Sequence, residues 1–370
     1  MKILLINDHI IKIGGAESFV FNLSAVLEKA GHQTWIIGDD KTESFSSLIS
    51  RWYSLKWYRE TQALLKTIKP DIVHINNCAR AVSPSPIVAA NRAGIPVVMT
   101  MHDFHYYCPK TWGIFSDGNP CPYGFGYRCF ISNCQTFFDG YRHFGYQMIK
   151  GIKVFLHREI LKRSSLTYVS PSKALAKNIS KSLGVPVKVF PNGIDARHPL
   201  TTYTKDILFV GRIGKEKGLQ SIGDALNRRM DLKTAVVGTG YLENALKSAY
   251  ANIKFYGFQD PQEWYKSHSI LVVPSLWQEN FPTVILEAMS YGLCVIASRR
   301  GGIPELVKDK INGLLFNPGD ATDFNRKLDY LKQNPSEIRR MGKNARKFVQ
   351  RFKWNNTVKN YIKLYQSLIG

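Results

Sequence analysis

The sequence predicts an α/β protein of two doubly wound parallel-sheet domains facing each other across a cleft. Three observations carry this. Short apolar runs alternate with helical patterns along most of the chain, from Ile3–Ile6 to Val295–Ala297, as βαβ units do. The alternation pauses at Pro191-Asn192-Gly193, whose turn chemistry marks a link between two halves, and then restarts. At 370 residues the chain can bury two separate cores. Two such Rossmann-like domains in tandem would bring the carboxyl ends of their strands to a shared crevice.

Each element has a local reason. Ile3–Ile6 is a first strand, followed by a loop containing Gly14-Gly15. A helix from about Ala16 to Lys29 sets Phe19, Val20, Leu23 and Leu27 on one face and stops at Gly31. Trp35–Ile37, Ile72–Ile75, Val97–Thr100, Tyr168–Ser170 and Val187–Phe190 are the further strands of this half. The second half repeats the pattern at Ile207–Val210, Ala235–Val237, Ile253–Tyr256, Ile270–Val273 and Val295–Ala297. Helices rich in Lys and Arg follow from Pro335 to Ile369.

Bulk composition narrows the function. No apolar run reaches the roughly 20 residues that span a bilayer. The opening MKILLINDHI meets Asp8 and His9 too early for a signal peptide, so an intracellular, soluble or peripheral protein is expected. Lys and Arg number 50 against 28 Asp and Glu, a net charge of +22 that favours anionic partners. The surplus is sharpest over Tyr141–Phe190, where Glu159 is the single acidic residue. No RNP-type aromatic motif, zinc-finger spacing or arginine-rich repeat accompanies it, which argues against nucleic acid as the partner.

The stretch Pro274–Ser298, PSLWQENFPTVILEAMSYGLCVIAS, concentrates the chemistry. Pro282 suits a first helical position, Val284, Ile285, Ala288 and Met289 follow helical spacing, and Gly292 sits where a left-handed cap belongs. A helix start directly after a strand and loop is an anion site, through its unpaired N–H groups and its dipole. Glu279 and Glu287 flank it, and Glu287 shares a helix face with Thr283. Taken alone, two such acids would be read as solvated surface groups.

Other loops end strands in the same way. Val210-Gly211-Arg212-Ile213-Gly214-Lys215-Glu216-Lys217-Gly218 puts Arg212 and Lys217 on a glycine-containing turn suited to a diphosphate, without Walker spacing. Gly14-Gly15-Ala16-Glu17 allows close approach of a ligand, although it is not GxGxxG. His102-Asp103 follows Val97–Thr100, and Gly257-Phe258-Gln259 could cradle a flat base. A turn, a core histidine and an ordinary loop are the plain alternatives for these three.

Together these elements resemble the GT-B glycosyltransferases, specifically the large retaining family four. The resemblance covers nearly the whole chain. It rests on Glu279–Glu287 within ENFPTVILEAMSYG, on VGRIGKEKG, on GGAE near the start, on His102, and on Asn192-Gly193-Ile194-Asp195. It implies that Arg212 and Lys217 hold a donor diphosphate, with amides of Phe281, Pro282-Thr283 and Val284 facing the sugar and phosphates. Glu287 would hold the ribose and Glu279 the transferred sugar. Gly15 would lie under the donor and His102 near the sugar, while Phe258 is a donor-binding candidate from the reading of its own loop. The implied donor is a UDP- or GDP-sugar, the acceptor a saccharide, expected to be lipid-linked and used in envelope or surface polysaccharide assembly. No catalytic metal is implied, and the leaving diphosphate can take the acceptor proton. A last helix, about 355–370, is implied to cross back to the first domain, giving domains 1–192 plus that helix, and 193–354. Asn355-Asn356 departs from the usual acidic residue there.

Two regions stand outside this pattern. Cys108, Cys121, Cys129 and Cys134 fall within 27 residues and suggest a structural zinc or iron–sulfur site, although no C-x2-C pair is present; buried thiols and disulfides are the alternatives. Tyr146–Arg163 is amphipathic and basic, with Lys150, Lys153 and Arg158 expected on a face that meets an anionic membrane, against a core-packed helix as the alternative. Location at the inner, cytoplasmic face of the membrane follows. The rival functions are a sugar-nucleotide epimerase of the same fold and a basic scaffold or nucleic-acid-binding protein on a degenerate transferase fold.

Overall fold

The computed structural model describes residues 1–11, 14–40, 52–109, 112–115, 119–131, 144–196 and 198–370. The chain divides into two compact units, Met1–Gly193 with Trp354–Gly370, and Ile194–Lys353.

In the first unit the strands are β1 (Lys2–His9), β2 (Gln33–Asp39), β3 (Ile72–Ile75), β4 (Val97–Thr100), β5 (Thr167–Ser170) and β6 (Val187–Val189). They pair in parallel in the order β2-β1-β3-β4-β5-β6. Parallel strands are covered on both faces, so alternate residues of β1 enter different cores. Ile3 and Leu5 pack with Phe19, Leu23 and Leu27 of the Gly15–Lys29 helix and with Val358, Tyr361 and Leu364 of the Trp354–Ile369 helix. Leu4 and Ile6 pack on the other side with Trp57, Ile87, Leu161 and Leu175. Burying each such side chain contributes about 1.5–3 kcal/mol. Polar contacts fix the last helix: Tyr361 Oη lies 3.1 Å and His74 Nε2 2.8 Å from Thr100 Oγ1, and Tyr365 Oη is bonded to His74 Nδ1.

The second unit contains β7 (Ile207–Val210), β8 (Thr234–Val237), β9 (Ile253–Phe255), β10 (Ile270–Val273), β11 (Cys294–Ser298) and β12 (Gly313–Phe316), parallel in the order β12-β11-β10-β7-β8-β9. Its helix Thr283–Tyr291 buries Ile285, Leu286 and Met289 against Leu271, Val273 and Val295. Strand order reverses between β1 and β3 in one sheet and between β7 and β10 in the other. Ligands of open α/β sheets bind at the carboxyl ends of the strands at such points.

Two expectations are corrected. The shared metal of Cys108, Cys121, Cys129 and Cys134 finds no support: among the described residues no three His, Cys, Asp or Glu side chains group to hold an ion. Cys108 and Cys121 pack against the apolar core, while Cys129 Sγ points at the Gly124 carbonyl, 3.7 Å away; Cys134 lies outside the described residues. Hydrogen bonds order this segment instead, with Cys121 N donating to Gly113 O at 2.9 Å and Tyr107 Oη to the Cys121 carbonyl.

Arg158 likewise does not face outward from the Phe144–Arg163 helix. It is buried, with its guanidinium donating to the carbonyls of Tyr106 and Ser182 and, at 2.6 Å, to Ser182 Oγ. Val154, Arg158 and Leu161 share the inward face, and Ile152, Phe155 and Leu156 are exposed apolar residues of the same helix. Among the described residues, no helix is long and apolar enough to cross a membrane.

Candidate functional site

A charged constellation lies at the β7/β10 switch of the second unit. After β7 the chain makes a 3₁₀ turn, Lys215–Lys217, that ends at Gly218. Gly218 has φ +75°, and a Cβ there would lie 2.0 Å from the Pro274 carbonyl, so only glycine lets this turn abut the end of β10. Leu276 N and Trp277 N donate to the Glu216 carbonyl at 2.9 and 3.3 Å and join the two loops.

Lys217 Nζ thereby donates to Glu279 Oε1 at 2.8 Å, and Ser275 Oγ donates to the same oxygen at 2.6 Å. The ammonium also sits 4.7 Å from the centre of the Trp277 ring. Burial pushes the Glu279 carboxyl up, but the Lys217 charge and the bonds from Lys217 and Ser275 outweigh it, leaving the group below the usual carboxylate range. The main chain of Glu279 is held as well. Its carbonyl accepts Gly302 N at 2.7 Å, and Gly301, at φ +52°, leaves no room for a Cβ beside that oxygen.

Arg212 belongs to the same turn. Its Nε and Nη2 donate to Glu216 Oε1 at 2.8 and 2.7 Å, and Tyr241 Oη donates to Glu216 Oε2 at 3.3 Å. The Glu216 side chain is 5% exposed and that of Arg212 58%, so one edge of the guanidinium is anchored while the rest faces outward.

Glu287 has different partners. Tyr265 Oη donates to its Oε2 at 2.9 Å. Burial raises its pKa, the Tyr265 bond opposes the rise, and Asp260 adds to it. The two carboxylates of the pair are thus shifted in opposite directions by their surroundings.

The Thr283–Tyr291 helix begins at Pro282, in extended conformation, with no side-chain cap. Ser54, Ser172 and Asp320 cap other helix starts through their side chains, whereas the Gly15–Lys29, Leu219–Asn227 and Pro335–Val349 helices are uncapped like this one. Thr283 and Val284 are half-buried at this start. The Phe281 side chain is buried edge-on to Phe352, 5.6 Å between centroids, so only its backbone is available for a ligand. Phe258 stands 84% exposed on the loop after β9, whose Gly257 carbonyl accepts Gly238 N at 2.7 Å.

In the first unit Gly15 opens its helix after an extended Gly14. One turn on, the Phe19 ring lies 4.9 Å from that of His102. His102 Nε2 is 3.3 Å from Asn76 Oδ1, and burial lowers the His102 pKa to about 4, so its imidazole is neutral near pH 7. The Asp8 carboxylate, at the β1/β3 switch, accepts the amides of Ala79, Arg80, Ala81 and Val82 at 2.9–3.1 Å. Sequence reasoning assigned no role to Asp8, Asn76, Glu216 or Tyr265. For Asp8 the available signal was an acid directly after an apolar strand.

Two parallel six-stranded sheets, each in its own unit, are the GT-B fold of glycosyltransferases. The chain belongs to glycosyltransferase family 4: the model described as Glycosyltransferase Family 4 matches residues 13–198, and that described as Glycosyl transferases group 1 matches residues 194–348. Similar proteins include the sulfoquinovosyl transferase SQD2 of Arabidopsis thaliana, 33% identical over 156 residues, 40% of this chain and 30% of SQD2. The amylovoran biosynthesis glycosyltransferase AmsK of Erwinia amylovora is 34% identical over 154 residues, 36% of this chain and 37% of AmsK. The chain spans less than half the length of these relatives. Solved structures with the same fold include the sucrose-phosphate synthase of Thermosynechococcus elongatus, with TM-score 0.74, 18% identity, and coverage of 99% of this chain and 98% of that one. HepE of Anabaena in complex with UDP-glucose has TM-score 0.69, 16% identity and 99% coverage of both chains.

Proposed function

We propose that this chain moves a sugar from a nucleoside-diphosphate sugar to a saccharide acceptor with retention of anomeric configuration and without a catalytic metal. The observation that carries this reading is the Lys217–Glu279 pair at the β7/β10 switch, on the same loop as the uncapped helix start at Pro282. Arg212 and Lys217 bind the diphosphate, joined by the amides of Phe281, Thr283 and Val284, in place of a metal ion. Glu287, partly held by Tyr265, accepts ribose hydroxyls, and Phe258 lies beside the base. Glu279 binds hydroxyls of the transferred sugar. From the first unit Gly15 lets the backbone approach the donor, and neutral His102 hydrogen-bonds the sugar. The acceptor hydroxyl oxygen forms a bond to the anomeric carbon on the face the diphosphate leaves. The C–O bond to phosphate breaks, and the departing phosphate oxygen takes the acceptor proton.

A UDP-sugar is the favoured donor, supported by HepE, which has been seen with UDP-glucose. A lipid-linked acceptor at the inner face of the membrane is supported by the exposed Ile152, Phe155 and Leu156 on a helix that also carries Lys162 and Arg163, and a role in envelope polysaccharide assembly by the likeness to AmsK, an amylovoran biosynthesis glycosyltransferase. Phe155→Glu should reduce sedimentation with phosphatidylglycerol-containing vesicles; wild-type protein that ignores such vesicles at low salt overturns the membrane part. The donor is tested by a melting screen against UDP, GDP, ADP and their sugars. A ligand at 100 times its Kd adds about 2.7 kcal/mol. One base should raise Tm clearly over the others, whereas no shift with any of them contradicts the reading.

A further inference from the structure

A second cationic site lies in the Ile194–Lys353 unit, in a cavity of about 820 Å³ lined by His198, Lys343, Arg346, Lys347 and Gln350, with Ala196 and Leu200. Lys343, Arg346 and Lys347 stand at i, i+3 and i+4 on the Pro335–Val349 helix and so project from one face. Like charges at that spacing repel, and among the described residues none of the three has a carboxylate within ion-pair distance. Arg340 of the same helix contrasts with them: it is paired with Glu337 at 2.6 Å. The cavity is also pre-organised. Arg346 Nη2 donates to the His198 carbonyl at 2.7 Å, Gln350 Nε2 donates to the Arg346 carbonyl at 3.2 Å, and the His198 ring is stacked on Tyr291 at 4.3 Å and 12°. The guanidinium and imidazole are therefore held in place, while exposed Lys343 and Lys347 reach over the same space.

We propose that this cavity binds a phosphate-bearing anion, separately from the donor diphosphate. Among the described residues its lining is cationic without a carboxylate, its volume suits a small ligand, and two or more phosphate oxygens could bridge Arg346 and a lysine. The phosphate can come from a soluble oligophosphate or from a phospholipid headgroup. The site includes none of the residues assigned to the donor, so it stands or falls independently of that reading.

The test is calorimetric titration of the full chain with inorganic tripolyphosphate at physiological salt, comparing wild type with Lys343→Glu/Lys347→Glu. Both lysines are exposed, so the variant should fold. A control, Lys233→Glu/Lys254→Glu, makes the same charge change at exposed positions outside the cavity. The expected result is a binding event at least tenfold weaker in the cavity variant and unchanged in the control. It should persist in Arg212→Ala, where the donor site is impaired. Sedimentation with vesicles of phosphatidylglycerol in phosphatidylcholine identifies the source: loss of vesicle binding in the cavity variant assigns a headgroup, and loss of tripolyphosphate binding alone assigns a soluble ligand. Equal weakening in the control, or none in either variant, overturns the proposal.

Discussion

Lys217 and Glu279 meet 62 residues apart in sequence because two loops converge, so their pairing is not written in either motif. Removing one member of a largely buried pair leaves an uncompensated charge and costs about 3–5 kcal/mol. Lys217→Met should therefore lower stability towards the bottom of that range, since Lys217 is the more exposed partner, and it should abolish diphosphate binding. The pH dependence has a definite sign. Glu279 has its folded pKa lowered, so its contribution is present above the ordinary glutamate range and is lost as pH falls through the lowered value. In Lys217→Met the lowering disappears while the raising effect of burial stays, so the part of the acid limb of Tm against pH that Glu279 contributes should be lost. Glu287 runs the other way. Its folded pKa is raised, so its ionisation destabilises the fold progressively as pH rises from the ordinary glutamate range through the folded value. Glu287→Gln should melt higher than wild type at pH 7 yet bind nucleotide more weakly. Equal melting temperatures for the two proteins across that range would contradict the assignment. Both acids were visible in the sequence. Glu216, which anchors Arg212, was not, because an acid in a Lys-rich turn reads as a solvated charge until its burial is known.

Elements were legible where their local pattern and their packing agree. Phe19, Leu23 and Leu27 recur at helical spacing and do face the sheet, and the Thr283–Tyr291 helix runs from Pro282 to a left-handed Gly292. β12, Gly313–Phe316, escaped because three apolar residues after Asn312-Gly313 are too short a run to distinguish from a loop; its place beside β11 makes it a strand. The Phe144–Arg163 helix was read with Arg158 on the wet side, since a charge masks the inward i, i+4, i+7 set Val154, Arg158 and Leu161. Its two hydrogen bonds to Ser182 explain how that charge is accommodated. The 3₁₀ turn Lys215–Lys217 depends on Gly218 for both conformation and clearance. Gly218→Ala combines a strained φ with a backbone clash, so it should lower Tm and weaken nucleotide binding together, by displacing Lys217 from Glu279. A variant with wild-type Tm and affinity would show that the turn is not what positions Lys217.

At the scale of the whole molecule, each unit carries its own doubly wound sheet, β2-β1-β3-β4-β5-β6 and β12-β11-β10-β7-β8-β9, and each places charged groups where its strand order reverses. Alternating periodicity made the fold class legible, whereas strand order was not, since it depends on which strands pair rather than on what each contains. The second unit carries a fixed positive charge and an uncapped helix start, and the first carries a neutral imidazole and a glycine-led helix. Nucleotide affinity should consequently reside in the second unit's residues, and turnover should also need Glu279 and His102. Contacts that act mainly in the transition state lower turnover with little change in ground-state affinity. The most direct measurement is calorimetric titration of the preferred nucleoside diphosphate into wild type, Glu279→Gln, Glu287→Gln and His102→Ala, beside a transfer assay on the same preparations. Glu279→Gln and His102→Ala should bind the diphosphate at least nearly as well as wild type and lose turnover by about 100-fold, equivalent to about 2.7 kcal/mol. Glu287→Gln should lose affinity itself. Loss of nucleotide affinity in Glu279→Gln with full affinity in Glu287→Gln would contradict the account.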